Sequence, residues 1–527
     1  MGNMLGVMLD CSRNAVMRVE TIKQYADIIK KMGYNTLMLY TEDTYEVDNQ
    51  PFFGYLRGRY TKSEIKELDS YCNSIGIELV PCIQTLAHLN AIFKWNDVYG
   101  DICDCDDILL AGEDKTYELI NDMFATLSQC YTTKKIHIGM DEAYRVGLGK
   151  YHDINGPEDR FDIINKHLHK VCEIADRYGF EPMIWSDMFC KLALNSDDYY
   201  SSNDTEKIAL KANLPENISL VYWDYYSTDY ERYEKMINAN KAFGKKVYFA
   251  GGAWTWKGFA PDNNFSIETT KVAVSACKNN GVSDFVMTLW GDDGAECSKF
   301  SVLPSLMYAA EIINGNEDIE SIKTKFKKIT GCDYDSLLIL DKINSPGGGH
   351  SGTPHKYLLY NDLFLGLNDC RCTQEDNEYY SNLVNVIRSA KNKGEYKYIF
   401  DTLEKLSDVL SVKSNLGNKT RRFYKSGDKR AMNQITDEYE ELIEKIYDFH
   451  SAFQRQWMIE NKPHGFDVQD IRIGGLVQRI KSQKDRLSNW ISGEIDSIPE
   501  LEEVLIEGNC GKHWGQIVTP NVISFKF

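Results

Sequence analysis

Between Leu5 and about residue 315, short apolar runs and amphipathic helical segments alternate eight times. The runs are LGVMLDCS from Leu5, YNTLMLYTED from Tyr34, IELVPCIQT from Ile77, KKIHIGMDEA from Lys134, EPMIWSDMF from Glu181, NISLVYWDYY from Asn217, KKVYFAGGAWTW from Lys245 and VSDFVMTLWGDD from Val282. Between most of them lies a segment such as VETIKQYADIIKKMG or KSEIKELDSYCNSIG, with apolar residues at helical spacing and a glycine at the end. Nearly continuous apolar strands are buried on both faces, as in parallel sheets covered by crossover helices. Eight such units in succession predict an α/β chain folded as a closed (β/α)8 barrel. An open doubly wound sheet is the alternative. It would place a glycine-rich phosphate loop after the first strand, where this chain has Cys11-Ser12-Arg13-Asn14.

From about Pro346 the texture changes. The loop SPGGGHSGTPH leads into segments such as EYKYIFDTLEKLSDVLSVKSNLG and ITDEYEELIEKIYDFHSAFQRQW, with helical periodicity and no strand alternation. The division expected is a barrel over 1–345 and a mostly α-helical domain over 346–527, which suits a chain of 527 residues. His350 and His355, in the linking loop, read as ordinary loop histidines.

A barrel enzyme carries its chemistry at the C-terminal ends of its strands, so those ends form an inventory of the pocket. In order they offer Arg13; Asp43; Gln84 and His88; Asp141 and Glu142; Trp185 and Asp187; Trp223, Asp224 and Tyr225; Trp254 and Trp256; and Trp290, Asp292 and Asp293. Carboxylates and an arginine bond hydroxyls in pairs, while tryptophan rings cover the apolar faces of a pyranose, so the set suits a sugar. Sixty basic against 78 acidic residues, a net charge of -18, repel phosphate backbones, so no nucleic-acid partner is expected. No run reaches the length of a membrane span, and the N-terminus has no signal-peptide pattern. Fourteen scattered cysteines fit reduced thiols and a cytoplasmic location. Cys103-Asp104-Cys105 lacks a second ligand pair at zinc spacing, so neither a metal nor a cofactor is expected.

The most distinctive local signal is His137-Ile138-Gly139-Met140-Asp141-Glu142-Ala143 at the end of the fourth strand. It resembles the H-x-G-x-D-E signature of glycoside hydrolase family 20, the β-N-acetylhexosaminidases, and the resemblance covers about residues 5 to 315. The segments DCSRNAV, EDTYE, PCIQTLAHL, VYWDYY, FAGGAW and WGDDG are similar to the streptococcal-type subgroup that carries a helical C-terminal domain. The resemblance implies an exo-acting retaining enzyme that removes terminal β-GlcNAc or GalNAc from oligosaccharides and glycoconjugates. In that chemistry the acetamido oxygen of the substrate attacks C1 and an oxazolinium forms. It implies Glu142 as general acid/base and Asp141 as the residue that orients the acetamido N–H, with Asp43 and His88 as a relay to the acid/base. Arg13 would grip the hydroxyls at C3 and C4, Trp185, Trp254 and Trp290 would wall the pocket, and Tyr225 would bond the acetamido oxygen. Asp224 and Asp292 complete the expected substrate-binding set, and Trp256 reads equally as rim packing or binding.

Adjacent residues of a regular strand face opposite ways, so the backbone must leave regular geometry at Asp141-Glu142 if both are to reach one sugar. Two departures bear on the pocket. Trp223-Asp224-Tyr225-Tyr226 stands where family members have Tyr and then Asp two residues on, which leaves Tyr225 and Tyr226 as alternatives. Asp292 is one methylene shorter than the usual Glu. Most family members also carry a small α/β domain before the barrel, whereas this sequence begins almost directly at the first strand. The alternatives within the resemblance are a neighbouring specificity (a sulfated GlcNAc or a lacto-N-biosidase) and a carbohydrate-binding protein without turnover.

Overall fold

A computed structural model describes residues 3–194, 204–205, 207–208, 213–345 and 353–505. The eight barrel strands are β1 (Leu5–Asp10), β2 (Thr36–Thr41), β3 (Glu78–Ile83), β4 (Lys135–His137), β5 (Glu181–Trp185), β6 (Ser219–Trp223), β7 (Val247–Gly252) and β8 (Phe285–Leu289). Each pairs in parallel with its neighbours, and β1 closes on β8 with Leu5 opposite Phe285, so the sheet is a closed barrel as the alternation predicts. Every residue of β1, β2, β7 and β8 is buried, as strands covered by helices on one side and core on the other must be.

Local signals delimit the crossover helices. Helix Val19–Met32 stops at Gly33, whose φ of 105° lets its N–H return to the carbonyls of Ile29 and Lys30. Helix Lys62–Ser74 begins at Thr61, where a reciprocal pair of bonds with Glu64 satisfies two otherwise orphaned N–H groups. Inside the barrel, alternate residues of the strands meet: Met8 from β1, Met38 and Tyr40 from β2, Val80 and Cys82 from β3, Met183 and Trp185 from β5, Val221 from β6, Tyr248 and Ala250 from β7, and Val286 from β8. Continued past each strand end, the same alternation selects which side chains enter the mouth.

The chain divides into two compact units. The first contains the barrel; the second comprises 255–263, 292–304 and everything from 323 onward. In the second, helix Lys397–Lys413 packs on Gln374–Ser389 and on Lys429–Glu460, which also packs on Phe466–Ser492. His350 lies outside the described residues. His355 is no loop histidine: it sits in helix Pro354–Tyr360, fully buried, and its Nε2 accepts the backbone N–H of Phe259 at 3.1 Å. Burial drives its pKa down to about 3, so the ring is a neutral acceptor. Among the described residues no helix is long and apolar enough to cross a membrane.

A buried charge cluster ties the second unit together. Glu296, wholly covered, accepts Lys356 Nζ at 3.0 and 3.2 Å and Arg472 Nη1 at 3.2 Å. Burial holds the Lys356 ammonium below its usual pKa, and the Glu296 carboxylate is what opposes that. Removing one member of such a cluster leaves a charge without compensation. Glu296→Ala is therefore expected to cost about 3–5 kcal/mol of stability, measured by urea unfolding of the full chain. A loss below about 1 kcal/mol would show that Lys356 finds water instead.

Candidate active site

The strand bearing the acidic pair is three residues long, because the backbone turns away from the sheet immediately after it. Gly139, Met140 and Glu142 all take positive φ, at 71°, 70° and 54°. This is the departure from strand geometry that an adjacent Asp and Glu require, and it sends Asp141 inward while Glu142 stays 41% exposed.

Side chains at the end of β3 replace the lost ladder. Gln84, fully buried, donates its amide to Asp141 Oδ1 at 2.7 Å and to the Tyr40 hydroxyl at 2.9 Å. Its carbonyl accepts the N–H of Met140 at 3.0 Å, and Thr85 Oγ1 donates to the Ile138 carbonyl at 2.8 Å. A Cβ on Gly139 would lie 2.1 Å from Gln84 Oε1 and 2.7 Å from the Ile83 carbonyl, so the glycine of the motif is required by space as well as by conformation.

His88, itself at φ 59°, brings its Nε2 to 3.2 Å from Asp141 Oδ2 and 3.7 Å from Glu142 Oε2. The first is an ion-pair contact rather than an aligned hydrogen bond. Burial disfavours a charged ring here, yet the Asp141 carboxylate outweighs it and lifts the His88 pKa to about 9. In return Asp141, which burial alone would push up, is held below the ordinary carboxylate range by the His88 charge and the Gln84 amide. The other ring nitrogen of His88 is 3.3 Å from Arg13 Nη2.

Arg13 is anchored by a residue the sequence reading overlooked. Its Nε donates to Glu42 Oε1 at 2.7 Å, and Tyr40 donates to the same oxygen at 3.2 Å. The guanidinium stays 28% exposed. Asp43, expected beside His88, instead accepts Arg57 Nε and Nη2 at 3.2 Å each. The acidic neighbour of His88 on that side is Asp107, whose carboxylate takes the His88 backbone N–H at 3.1 Å. The Asp43–His88 contact is thus not made. The reason is register: Met38 and Tyr40 face the barrel interior, so Glu42 follows them and Asp43 faces away.

The same alternation sorts the later strand ends. From β5, Met183 and Trp185 lead to Asp187, which accepts the Glu142 N–H at 3.0 Å. Burial, then the charge of Asp141, raises the Asp187 pKa to about 7. From β6, Val221 and Trp223 lead to Tyr225, which is buried with its ring stacked on that of Trp223 at 5.3 Å between centroids. Tyr226 points elsewhere, half exposed and edge-on to Trp254 at 5.3 Å. Asp224 does not open to the pocket. Its side chain is completely covered, accepts Tyr226 N–H at 3.0 Å and Tyr222 hydroxyl at 3.3 Å, and lies 3.4 Å from Arg232. It holds the turn beneath Tyr225, which corrects its expected contact with a sugar.

Trp185 is nearly fully buried, against His137 at 4.2 Å and Trp290 at 6.0 Å between ring centroids, so it forms floor more than wall. Trp290 meets Tyr40 edge-on at 4.7 Å, and Trp254 donates its indole N–H to the Tyr225 carbonyl at 3.1 Å. Asp292 belongs to the second unit, in the turn Asp292–Gly294, where Arg472 Nη1 and Gln469 Nε2 donate to the carbonyls of Asp293 and Gly294. Trp256 also falls in that unit. Cys103 and Cys105 flank Asp104, whose carboxylate accepts the N–H groups of Gly147 and Tyr151 at 2.8 Å each. Among the described residues no cluster of His, Cys, Asp and Glu is arranged to hold a metal.

The His88–Asp141 pair has a consequence for pH. A histidine whose folded pKa exceeds its ordinary 6.5 contributes stability that is fully present below about pH 6.5 and is lost as pH rises through about 9. Denaturant unfolding at pH 6, 7.5 and 9 is expected to show stability declining across that interval, and His88→Gln is expected to flatten the decline. An undiminished slope in the variant would show that His88 is not charged in the folded state.

Two family profiles match the chain. The one described as Glycosyl hydrolase family 20, catalytic domain, covers residues 5–285, and the one described as Glycoside Hydrolase 20C C-terminal domain covers residues 335–512. Hexosaminidase D of Bos taurus is 22% identical over 257 residues, covering 46% of this chain and 68% of the relative. Hexosaminidase D of Homo sapiens is 21% identical over 238 residues, and there the match spans 44% of this chain and only 46% of the relative. Among solved structures, the GH20 β-N-acetylhexosaminidase from Streptomyces coelicolor A3(2) is 18% identical with a TM-score of 0.47, covering 65% of this chain and 70% of that one. The β-N-acetylhexosaminidase from Bacteroides fragilis NCTC 9343 is 20% identical with a TM-score of 0.47, covering 62% and 70%. With a catalytic-domain match over more than half its length, on a barrel whose fourth strand ends in the paired Asp141 and Glu142, the chain belongs to glycoside hydrolase family 20 and is a glycoside hydrolase.

Proposed function

We propose that the protein is an exo-acting, retaining β-N-acetylhexosaminidase that removes terminal β-GlcNAc or GalNAc by substrate-assisted catalysis. The observation that carries the reading is the left-handed turn at Gly139–Glu142. It presents two adjacent carboxyls in different environments, Asp141 buried and held charged by His88, Glu142 reaching solvent. Glu142 protonates the leaving oxygen and then activates water. Its carboxylate already receives the Tyr144 hydroxyl at 3.1 Å, and its backbone is fixed by Asp187. Asp141 orients the acetamido N–H and stabilises the positive charge that develops there, while Tyr225 bonds the acetamido oxygen. Arg13, braced by Glu42, binds the hydroxyls of the terminal sugar.

An ordinary retaining glycosidase needs a second carboxylate, roughly 5 to 5.5 Å from the acid, to attack C1. Asp224 is sealed off and Asp187 is buried with one oxygen on a backbone N–H, which supports attack by the substrate's own acetamido group. Glu142→Gln is expected to lower turnover about 10²–10⁴-fold for glycosides with poor leaving groups and by less for nitrophenyl glycosides, read from steady-state kinetics. Equal losses on both substrates would remove Glu142 from the acid role. A β-glucoside, lacking the acetamido group, is expected to be inert, and a thiazoline analogue of the cyclised intermediate to inhibit strongly. Trapping a covalent glycosyl ester on any carboxylate of the chain would overturn the substrate-assisted reading.

A further inference from the structure

Helix Asp187–Leu194 follows β5 after Ser186 and turns two side chains toward the loop that carries Glu142. Asp187, its first residue, accepts the Glu142 N–H at 3.0 Å. Lys191 stands four residues on, and so on the same face of the helix, with its Nζ 4.2 Å from the ring centroid of Tyr144. Tyr144 in turn donates its hydroxyl to Glu142 Oε1 at 3.1 Å. The contacts close a circuit around the acid: one helical turn holds the Glu142 backbone through Asp187 and its side chain through Lys191 and Tyr144.

Tyr144 is 45% exposed, yet its backbone is fixed. Its N–H donates to the Glu142 carbonyl at 2.6 Å, which closes a tight turn over the positive φ of Glu142, and its carbonyl accepts Arg160 Nη2 from the start of helix Arg160–Arg177. The ring is thus aimed by its backbone and covered on one face by the Lys191 ammonium. Partial burial, then the Glu142 charge, raises the Tyr144 pKa, so the phenol keeps its proton and acts as a donor across the neutral range. A carboxyl oxygen that accepts a phenol proton is not the one that carries the acid's own proton. With Oε1 engaged by Tyr144, that proton belongs on Oε2, the oxygen 3.7 Å from His88 Nε2 and on the side of Asp141.

Resting on the hexosaminidase reading above, we propose that Tyr144 is a positioning residue for Glu142 and that Lys191 acts through it, selecting Oε2 as the oxygen that gives up the proton and stabilising the carboxylate left behind. As the bond between C1 and the glycosidic oxygen breaks, the proton on Oε2 passes to the departing oxygen and the acetamido oxygen bonds to C1. The negative charge left on Glu142 spreads to Oε1, where a hydrogen bond to a neutral acid becomes one to an anion and strengthens about twofold. An interaction that strengthens along the reaction raises kcat and leaves ground-state binding alone. The ammonium on the ring face draws electron density from the phenol, which makes its O–H the better donor at that moment.

The test compares wild type with Tyr144→Phe, which keeps the ring and the cation contact and loses only the hydroxyl, with Lys191→Met, and with the double variant. Substrates are phenyl and 2,4-dinitrophenyl β-GlcNAc, and thermal unfolding checks that each variant is folded. On the phenyl glycoside, whose leaving oxygen needs the acid, kcat/KM is expected to fall about tenfold in Tyr144→Phe and about threefold in Lys191→Met, and on the dinitrophenyl glycoside by less than half as much. The double variant should be no slower than Tyr144→Phe alone, because without the hydroxyl Lys191 has nothing to act through. Competitive inhibition by free GlcNAc should stay within about twofold in all three. A loss in Tyr144→Phe that is equal on both glycosides would reduce Tyr144 to holding the loop, and a loss below about twofold on the phenyl glycoside would overturn its role altogether. A further fall in the double variant would separate Lys191 from it. Failure of the hexosaminidase reading is distinguishable, because it would be seen in the wild type as absence of turnover on every β-GlcNAc substrate.

Discussion

The carboxamide of Gln84 is the fixed point of the barrel mouth. On the side of β3 the fourth strand gives up its ladder after His137, and three buried polar groups come close together there: the Met140 N–H, the Asp141 carboxylate and, from β2, the Tyr40 hydroxyl. One amide satisfies all three. An unmade bond to a buried group costs about 1–3 kcal/mol, and more for a charged one, so without this side chain the turn would have no reason to hold positive φ at three residues out of four. The orientation of the amide is also determined, since only the NH2 end can serve Asp141 and Tyr40 while the oxygen serves Met140. Gly139 follows as a consequence, because the space a side chain would need is taken by Gln84.

Once Asp141 is fixed, the charges around it are constrained. Burial would protonate a lone carboxyl, and His88 prevents that by carrying its own proton to about pH 9. The next buried carboxyl, Asp187, is pushed up first by its own burial and then by the Asp141 charge. Asp187 accordingly keeps its proton up to about pH 7 while still accepting the Glu142 N–H. Arg13 faces the same problem from the other side and meets it with Glu42, whose carboxyl burial pushes up and Arg13 pulls back down. In this part of the mouth the Asp141 carboxylate faces His88 and Arg13 faces Glu42, while the two cations, Arg13 and His88, lie only 3.3 Å apart.

Much of this was legible beforehand. The eight apolar runs specified the closed barrel, and His137-Ile138-Gly139-Met140-Asp141-Glu142 marked the candidate site, where the irregular backbone expected at its two acids is found. What went astray at Asp43 and Asp224 was parity. The strand interiors carry the correction in plain view: Met38 and Tyr40 point to Glu42, Met183 and Trp185 point to Asp187, and Val221 and Trp223 point to Tyr225 over Asp224. Gln84 continues the alternation of Val80 and Cys82 and stands among the strand-end residues; Asp107 was harder, because left-handed residues such as His88 break the alternation that would locate it. His355 was misread for a different reason: its flanking glycines and prolines mark a loop, and only tertiary packing reveals that it begins a helix and is buried.

In so acidic a chain, the number of carboxylates at a barrel mouth overstates the number available for chemistry, and hydrogen bonding separates the two kinds. Asp10 accepts the backbone N–H groups of Ser12, Arg13 and Gly291 and the Ser12 hydroxyl, which consumes its capacity and locks the first loop to the end of the eighth strand. Asp104 does the same for Gly147 and Tyr151, and Asp224 for the turn of Tyr226. Charge-assisted bonds of this kind are worth about 1.5–3 kcal/mol each, and they fix loops that have no sheet to hold them. These three carboxylates serve the loops that carry them. Glu142 is held more loosely: its side chain is 41% exposed, with the Tyr144 hydroxyl 3.1 Å from one oxygen and His88 Nε2 3.7 Å from the other, and its backbone N–H is held by Asp187. That looser hold depends on the engagement of the others, since loops pinned by buried carboxylates leave this one acid positioned yet open to solvent, the arrangement that the proposed proton transfer calls for.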